Sequence, residues 1–410
     1  MKIAFPLFNR ASYGRCKPLI AALHKQHDLT LILMSGITQT EHGKASDYAK
    51  TDFPSLKVVV LPTIRREENK TFMSSTVADI LFGLGYNIRN NEYDLAFLFG
   101  DRFETMGAAI AFSFASIPMA HVQGGEITGN IDERVRHAVT HLSDYHFVST
   151  SLAKEYVKRL GQSDHTILHS GCPSLDLISK NNIRRSFNPK KDKHIICMFH
   201  PHTEESEDAY EQADLILGCV KDFCGTKKLK CYLYMPNPDP GRADVYNRFQ
   251  EALTENPEIF EEAHNKPPED FLRELSKAKF IIGNSSCILR EASFLGVPGV
   301  NVGDRQRFRE RSMNVVDCDF DPEQIRRSME FQSIAKRHRK SYLYGDGNAA
   351  QKIIKFLDLH PIQLKGSLNF PLLERYKKRH MGQRRFDDHK ERPNNWILKG
   401  KTATGDSVQS

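Results

Sequence analysis

The amino-acid sequence predicts an α/β protein built from two doubly wound, parallel-sheet domains. Short apolar runs of strand length alternate with longer segments of helical period along most of the chain. The strand-like runs are rich in Ile, Val and Phe without polar alternation, which is typical of strands buried on both faces of a parallel sheet. The length of 410 residues exceeds what one hydrophobic core usually organises and suits two domains.

The predicted strands fall into two series that are joined by a polar segment. The first series comprises Lys2–Leu7, Leu29–Met34, Lys57–Leu61, Asp94–Phe99, Ile117–Val122 and Tyr145–Val148. The second series comprises Ile195–Phe199, Cys231–Tyr234, Phe280–Gly283 and Gly299–Val302. Helical period predicts helices over Tyr13–His27, Arg102–Phe114, Asp132–Leu142, Pro268–Ala278 and Leu289–Leu295. Strands and helices that alternate in this way are the pattern of a doubly wound fold.

The stretch between the two series, Lys180–Lys193, is polar and basic and contains no strand pattern. We therefore predict an N-terminal domain over residues 1–180 and a C-terminal domain over residues 181–364. The periodicity is lost beyond that point, so residues 365–410 are predicted to be a basic arm that is extended or disordered.

Composition narrows the class of protein. Hydrophobic residues make up 40% and charged residues 27% of the chain, which is typical of a soluble globular protein. No apolar run approaches the roughly 18–20 residues that span a bilayer, and the N-terminus lacks the pattern of a signal peptide.

The net charge of +7 comes largely from the C-terminal arm, which argues against a nucleic-acid surface on the body. Eight scattered cysteines without a CxxC pair indicate a reducing compartment. We expect a cytoplasmic protein with no membrane or nucleic-acid partner.

The sequence contains no motif for a cofactor or a metal. There is no P-loop and no HExxH motif, and Gly83-Leu84-Gly85 lacks the third glycine of a dinucleotide fingerprint and lies in a helical segment. His137 and His141 have the i, i+4 spacing of zinc ligands, but no third ligand or general-base glutamate accompanies them. That spacing is more typical of an ordinary helix face, so we expect neither a metal nor a cofactor.

Chemically versatile residues follow seven of the predicted strands. They are Asn9–Gly14, Gly100–Glu104 and Gln123–Asp132 in the first domain, and His200–Glu204, Pro236–Gly241, Gly283–Ser286 and Gly303–Gln306 in the second. In open parallel sheets, ligands bind at the carboxyl ends of the strands, where loops lead into helices. These segments therefore predict a ligand site that both domains share.

The residue types in these segments favour an anionic ligand. Gly283-Asn284-Ser285-Ser286 is predicted to open a helix, where free backbone N–H groups and two hydroxyls suit a diphosphate. Arg10, Arg102 and Arg305 suit phosphate or a uridine oxygen. Each of these arginines taken alone is equally well explained as part of a surface ion pair.

Three carboxylates, those of Asp101, Glu126 and Asp132, belong to the predicted N-terminal domain. A carboxylate acts as a general acid or base when burial and like-charged neighbours raise its pKa towards neutrality, and we expect this for at least one of the three. A structural role for Asp101, as the N-cap of the helix predicted over Arg102–Phe114, is an alternative that does not exclude catalysis.

Several motifs together resemble one known enzyme family. They are Arg10–Gly14, Gly100–Glu104, His121–Glu126, Ile131–Glu133, Arg136–Ala138, Gly283–Cys287, Arg290–Ala292, Gly296–Pro298, Asn301–Gln306 and Tyr344–Asn348. In their order and spacing they resemble the hydrolysing UDP-N-acetylglucosamine 2-epimerases of sialic-acid and related nonulosonic-acid pathways. The likeness extends over about residues 1–360 and is far more specific than any single motif.

The resemblance implies two Rossmann-like domains that face a cleft, as in the GT-B fold, with a C-terminal helix returning to the first domain. It also implies a reaction in which the proton at C2 of the sugar is removed, UDP leaves from C1 and water adds to the resulting glycal. The products would be UDP and N-acetylmannosamine, and no cofactor is implied. We expect a UDP-amino sugar as the substrate and a homodimer or homotetramer as the assembly.

The same resemblance extends to individual residues. The candidate catalytic residues are Asp101, Gln123, Glu126, Asp132 and His200. The candidate substrate-binding residues are Arg10, Gly14, Arg102, His200, Asn237, Asn284, Ser285, Ser286, Glu291 and Arg305. Some relatives carry a carboxylate at position 123, whereas glutamine cannot transfer a proton. Either Glu126 or Asp132 then transfers the proton, or the activity is reduced or different.

On the sequence alone, three other functions stay open. The same chemistry suits a UDP-linked diacetamido-trideoxy hexose. A glycosyltransferase of the GT-B fold would need an acceptor groove and would retain the configuration at C2. A catalytically silent sugar-nucleotide binder is the third alternative. Gln123 supports it, because a glutamine cannot transfer a proton.

Overall fold

Two parallel β-sheets, each packed between layers of helices, organise the chain. This computed structural model describes residues 1–34, 39–40, 43–62, 70–202, 208–236, 240–263, 266–335 and 338–364. The fold class predicted from the sequence, two parallel-sheet α/β domains, is confirmed.

The N-terminal half forms the first sheet. Its strands in chain order are β1 (Lys2–Leu7), β2 (Asp28–Met34), the short hairpin β3 (Gln39–Thr40) and β4 (Gly43–Lys44), β5 (Lys57–Leu61), β6 (Leu95–Phe99), β7 (Met119–Val122), β8 (Tyr145–Val148) and β9 (Ile167–His169). Apart from the hairpin, these strands pair in parallel in the order β5-β2-β1-β6-β7-β8-β9. The chain thus winds outward from β1 and then returns to its other side with β6. This switch point opens a crevice at the carboxyl ends of β1 and β6.

Seven helices in the described part of this half connect the strands. They are α1 (Arg10–Gln26), α2 (Ala45–Asp52), α3 (Lys70–Arg89), α4 (Phe103–Phe114), α5 (Ile131–Leu142), α6 (Ser151–Arg159) and α7 (Ser174–Lys180). Helix α1 begins where the side chain of Asn9 accepts the backbone N–H of Ser12 at 2.6 Å, which satisfies one of the free donors of its first turn. Helix α1 packs on one face of the sheet, and helices α3, α4 and α5 cover the other face.

The C-terminal half forms the second sheet. Its strands are β10 (His194–Met198), β11 (Lys230–Leu233), β12 (Phe260–Glu262), β13 (Ile281–Gly283), β14 (Gly299–Val302) and β15 (Val315–Cys318). They are all parallel, in the order β12-β11-β10-β13-β14-β15, so that the second switch point lies between β10 and β13. The helices are α8 (Ala209–Lys227), α9 (Arg242–Glu255), α10 (Pro268–Lys277), α11 (Glu291–Leu295) and α12 (Pro322–Ile334).

The last described helix, α13 (Ala349–Leu359), returns to the first sheet. Its Ile353 and Phe356 belong to the same core as the residues of β1 and β2. The ring of Phe356 meets that of Phe147 in β8 edge-on at 5.4 Å. The N-terminus of α13 is held by the buried carboxylate of Asp176 in α7, which accepts the backbone N–H groups of Ala349 and Ala350 at 2.9 and 2.8 Å.

The ten predicted strands are all present, with their ends shifted by at most two residues. Strands β9, β12 and β15 and the hairpin were not predicted. β9 and β12 have only three residues each. All three strands lie at the edges of their sheets and have partly exposed side chains, so they carry little apolar pattern to detect. Gly83 and Gly85 lie inside α3, as expected.

Residues 181–193, between α7 and β10, form neither a helix nor a strand. We keep the proposed division of the chain at residue 180 on this ground. The predicted arm, residues 365–410, lies outside the described residues. Within the part of the chain that the structure describes, no helix has both the length and the hydropathy needed to cross a membrane.

We predict that Asp176→Ala detaches α13 from the first domain. The substitution leaves two buried N–H groups of Ala349 and Ala350 without an acceptor, and such a loss reduces the free energy of unfolding by about 1–3 kcal/mol. Amide hydrogen exchange in α13 is expected to become faster, together with a lower thermal midpoint. Asp358→Ala is the matched control, because Asp358 is an exposed residue of the same helix near its other end. Equal exchange in both variants would show that Asp176 does not anchor the helix.

Candidate active site

A cluster of charged side chains lies where the carboxyl ends of the two sheets meet. Asp101 and Glu126 follow β6 and β7 of the first sheet, whereas Arg290 and Arg309 come from segments of the second domain. Arg136, on α5 of the first domain, is completely buried and completes the cluster. Direct ion pairs therefore join the two domains at this point.

Asp101 is held by two guanidinium groups. Its Oδ2 atom accepts a hydrogen bond from Arg136, and it accepts another from Nη2 of Arg309 at 2.9 Å. The alternative role of Asp101 as the N-cap of the following helix is wrong. Helix α4 begins at Phe103 with Arg102 in the cap position and no capping side chain, because the carboxylate is turned towards the arginines.

Glu126 is held by two arginines of the second domain. Its Oε2 atom accepts hydrogen bonds from Nη2 of Arg290 at 2.5 Å and from Nε of Arg309 at 2.7 Å. Its backbone carbonyl accepts a bond from Arg136. The other carboxylate oxygen, Oε1, is buried and has no hydrogen-bond partner among the described residues.

These ion pairs set the protonation of both acids. Burial by itself raises the pKa of Asp101, but Arg136 and Arg309 outweigh it and hold the pKa well below its usual range. Burial likewise raises the pKa of Glu126, and Arg290, Arg309 and Arg136 together lower it. For Asp101 and Glu126, the expectation that neighbouring negative charges raise the pKa towards neutrality is therefore wrong. The three guanidinium groups that face these carboxylates are brought to them by the tertiary fold.

Gln123 faces the same cluster from the end of β7. Its Oε1 atom accepts a hydrogen bond from Nη1 of Arg290 at 2.8 Å, and its amide donates to the sulfur of Cys172 at 2.9 Å. The residue has a φ of +70°, an uncommon conformation for a side chain other than glycine. Strained positions of this kind occur often at ligand sites.

Asp132 lies in the first turn of α5, one turn before Arg136, and is half-buried. Burial lowers the pKa of the Arg136 guanidinium, whereas the charges of Asp101, Glu126 and, more weakly, Asp132 raise it. Asp132 thus lies at the margin of the cluster, and Arg136 connects it electrostatically to the other two acids.

In the second domain, Asn284 joins the ends of two strands. Its side chain accepts the backbone N–H of His200 at 2.8 Å and donates to the carbonyl of His200 at 2.7 Å. This reciprocal pair fixes the loop after β10 to the turn after β13. His200 is buried there.

The turn after β13 is tighter than predicted. Residues Ser286–Ile288 form a single 3-10 turn in which Ser285 Oγ accepts the N–H of Cys287 at 3.4 Å, and the five-residue helix α11 starts only at Glu291. A helical turn therefore begins at this motif as predicted, but it is a single 3-10 turn, and the helix predicted over Leu289–Leu295 starts two residues later. Gly283 is required, because its φ is +132° and a Cβ atom would come within 2.1 Å of the carbonyl oxygen of Met198.

Glu291 and Arg305 flank this turn. Glu291 is buried, and its Oε2 atom has no hydrogen-bond partner in the described part of the chain. Arg305 Nη1 lies 3.5 Å from the carbonyl of Asn284, and Gln306 donates to the same carbonyl at 2.8 Å.

The binding residues predicted near the start of the chain have other contacts. A Cβ atom at Gly14 in α1 would lie 2.8 Å from Cγ of Pro268 in α10, so Gly14 permits close packing of the two domains. Arg102 pairs with the buried carboxylate of Glu104 at 2.9 Å. Arg10 begins α1, but its side chain lies outside the described residues, as does Asn237 altogether.

Sequence reasoning gave no role to Arg136, Arg290 or Arg309. Arg136 shares a helix face with Asp132 at i, i+4, a spacing that could have indicated a common site. Arg290 and Arg309 meet residues more than 160 positions earlier in the chain, and no local pattern reveals such a contact. Across the described ranges, no group of three His, Cys, Asp or Glu is placed to hold a metal ion.

The sequence of the chain is similar to one family of known proteins. Residues 22–358 match the model of the UDP-N-acetylglucosamine 2-epimerase family. The chain is 30% identical over 371 residues to the hydrolysing UDP-N,N'-diacetylbacillosamine 2-epimerase of Legionella pneumophila, an alignment that covers 88% of this chain and 96% of that protein. It is 26% identical to the UDP-N-acetylglucosamine 2-epimerase of Neisseria meningitidis, over 77% and 83% of the two chains.

Solved structures extend the likeness to the fold. The 2-epimerase of Methanocaldococcus jannaschii in complex with UDP-GlcNAc and UDP superposes with a TM-score of 0.73 at 18% identity, over 88% of this chain and all of that one. The Neisseria meningitidis enzyme bound to UDP-GlcNAc gives 0.72 at 19% identity, over the same shares. With the extent of the family match, these findings show that the chain belongs to the UDP-N-acetylglucosamine 2-epimerase family.

Proposed function

We propose that this protein is a hydrolysing 2-epimerase that converts a UDP-linked 2-acetamido sugar and water into UDP and the free 2-epimeric sugar. A base removes the proton from C2, and the electron pair of that C–H bond forms the C1–C2 double bond as the C1–O bond to UDP breaks. Water then adds its oxygen to C1, and a proton returns to C2 on the opposite face. The observation that carries the proposal is the cluster of Asp101 and Glu126 with three guanidinium groups at the junction of the two domains.

The cluster supplies both kinds of group that this reaction needs. Carboxylates take the proton from C2 and direct water onto the glycal, and we assign these roles to Asp101, Glu126 and Asp132. Guanidinium groups stabilise the negative charge that develops on the departing diphosphate. Because Glu126 is buried and Asp101 is partly buried, charges at this point act on each other more strongly than they would in water.

The second domain supports binding of the nucleotide. We assign the diphosphate to the turn that contains Ser285 and Ser286, and the nucleoside to His200, Glu291 and Arg305. The buried oxygen of Glu291 without a partner supports this, since a ribose hydroxyl can donate to it. Arg10, Gly14, Arg102, Asn237 and Asn284 stay candidates for the same cleft.

Two sugars deserve a direct test. UDP-N-acetylglucosamine is our first choice, because it is the sugar nucleotide for which the matching family is described. UDP-N,N'-diacetylbacillosamine is the second candidate, favoured by the Legionella pneumophila protein of that specificity, which aligns over 96% of its length.

We predict that the protein releases UDP and a free sugar carrying deuterium at C2 when either substrate reacts in deuterated water. Proton NMR follows the loss of the C2 signal and the appearance of the free sugar over time. A glycosyltransferase would release UDP only with an acceptor and would keep the hydrogen at C2. Binding of UDP without C2 exchange for either substrate would sink the proposal in favour of a silent binder.

Asp101→Asn and Asp132→Asn are each expected to lower kcat by about 100-fold or more, the usual scale of general acid–base catalysis. Affinity for UDP, measured by calorimetry, is expected to be retained or to rise, because neither carboxylate is assigned to the nucleotide and loss of a negative charge leaves the cluster more positive. Asp164→Asn is the control, since Asp164 pairs with lysines at the surface far from the cluster. Normal turnover by Asp101→Asn would rule out the assigned role of that residue.

Gln123→Glu is expected to fold and to retain turnover. Oε1 of the side chain already accepts from Arg290, and the thiol of Cys172 can donate to a carboxylate in place of the lost amide. The added negative charge offsets one guanidinium group, so we expect UDP to bind about threefold to tenfold more weakly, equivalent to roughly 1 kcal/mol. Gln123→Met is the control without the charge. Tighter UDP binding by Gln123→Glu than by Gln123→Met would contradict the electrostatic reason.

A further inference from the structure

We propose that Arg309 is a transferable counter-ion: in the ligand-free protein it bridges Asp101 and Glu126, and when a sugar nucleotide enters it turns to the diphosphate. This inference rests on the proposed function, because it assigns a positioning residue to that reaction. Arg309 is the residue, among those the structure describes, whose side chain contacts the carboxylates of both acids.

The charges of the cluster are unequal. Two carboxylates, those of Asp101 and Glu126, contact three guanidinium groups, which leaves one positive charge in excess of the acids. If Arg309 leaves, Asp101 keeps Arg136 and Glu126 keeps Arg290. Arg309 is thus the shared cation, and its departure leaves each acid with one partner.

Arg309 differs from the other two arginines in its backbone setting, although all three nitrogen atoms of its guanidinium group donate hydrogen bonds. Arg290 lies over the ring of Tyr344 with 5.6 Å between the guanidinium carbon and the ring centre, and bonds both Gln123 and Glu126. Arg136 is completely buried on a helix. Arg309 instead lies in the segment 303–314, which joins β14 to β15 without a regular helix or strand and can adjust at little cost.

The electrostatic environment also favours Arg309, rather than Arg136 or Arg290, as the arginine that moves. Burial lowers the pKa of the Arg309 guanidinium, and the nearby charges of Arg290 and Arg136 lower it further, against the opposing effect of the two acids. For Arg136 and Arg290 the balance is the reverse, and the acids raise their pKa values above the usual range. The cluster therefore stabilises the charge of Arg309 less than it stabilises the charges of the other two.

A hydrogen-bonded path connects Arg309 with the predicted diphosphate site. Its Nη1 atom donates to Oε1 of Gln306, and Nε2 of the same glutamine donates to the carbonyl of Asn284 at 2.8 Å. Asn284 directly precedes Ser285 and Ser286. One side chain therefore separates Arg309 from the turn that we assign to the diphosphate, whose two negative charges attract a planar guanidinium group.

The transfer changes the two acids differently. The Asp101 side chain is 22% exposed and the Glu126 side chain 4%, so loss of a cation makes the charged form of Glu126 the less favourable of the two. Several titratable or charged side chains face Glu126 from the elements packed around it; they are Arg136, Arg290, Arg309, Asp101 and Tyr344. Glu126 is therefore expected to accept a proton more readily in the complex than in the free protein.

Arg309→Met and Arg309→Lys test the proposal, with Arg307→Met as the matched control. Arg307 lies in the same segment and stacks on the exposed ring of Phe308. Calorimetry with UDP is expected to give at least about tenfold weaker binding for Arg309→Met, since a hydrogen bond to a charged group is lost. Arg309→Lys is expected to recover part of that affinity, and Arg307→Met to stay within about twofold of the wild type.

Proton uptake gives a readout that a merely structural role would not move. UDP-glucose carries a diphosphate diester that does not itself exchange protons near neutral pH, so its binding enthalpy in buffers of different ionisation enthalpy reports protons taken up by the protein. We expect uptake by the wild type at acidic pH, less uptake by Arg309→Met, whose Glu126 has already lost one cation, and none by Glu126→Gln.

Two results would overturn the proposal. One is UDP binding by a folded Arg309→Met protein within about twofold of the wild type. The other is wild-type binding of UDP-glucose without proton uptake between pH 5 and 7. Neither measurement requires turnover. A wild type that lacks C2 exchange would reject the proposed function while this test of Arg309 still gives an answer.

Discussion

Two carboxylates at the junction of two domains, that of Glu126 buried and that of Asp101 partly buried, impose the constraint on which the site depends. An ionised carboxylate removed from water without a partner destabilises a protein by several kcal/mol, so Asp101 and Glu126 require cations at bonding distance. The first domain supplies Arg136, and the second domain supplies Arg290 and Arg309. Bringing the domains together and neutralising the acids are therefore one event. For Glu126 the dependence is complete, because both guanidinium groups that contact its side chain belong to the second domain.

The topology of the sheets explains why these groups meet. Each sheet reverses its winding beside its first strand, at β1 and β6 in one domain and at β10 and β13 in the other, and this leaves crevices at the carboxyl ends. The loops that end β6 and β7 carry the acids, whereas the segments after β13 and β14 carry the arginines. Close packing elsewhere holds the two halves in this relation. Gly14 lies against Pro268, and Lys17 pairs with Asp52 of its own domain and Glu269 of the other at 2.8 and 2.9 Å.

Some features of the fold and of the site are determined by neighbouring residues in the sequence, and these could be predicted. Features that depend on residues far apart in the sequence could not. Buried strands such as β6 and the polar residues that follow them are local patterns, so the fold class and the placement of Asp101 could be derived from the sequence. The 3-10 turn at Ser286 depends on one side-chain cap, and the edge strand β12 has three residues, so both carry too little pattern to detect. The partners of Glu126 lie 164 and 183 positions away. A pairing at that separation follows from the tertiary fold alone. The pKa of at least one of the three acids was therefore predicted to rise, whereas the arginines lower the pKa values of Asp101 and Glu126.

Gln123 connects the charge balance with the chemistry. A carboxylate at this position would face Arg290 and bring the acids to three, equal to the guanidinium groups, whereas the neutral amide leaves one cation in surplus. In the proposed function this surplus attracts a diphosphate to the cleft, and in the proposed transfer of Arg309 it lets that arginine leave while each acid keeps one cation. Under the proposed function, the amide removes one proton acceptor from the site and increases the attraction of the site for the leaving group. We then assign proton transfer to the carboxylates that remain, whose basicity in this proposal depends on the position of Arg309.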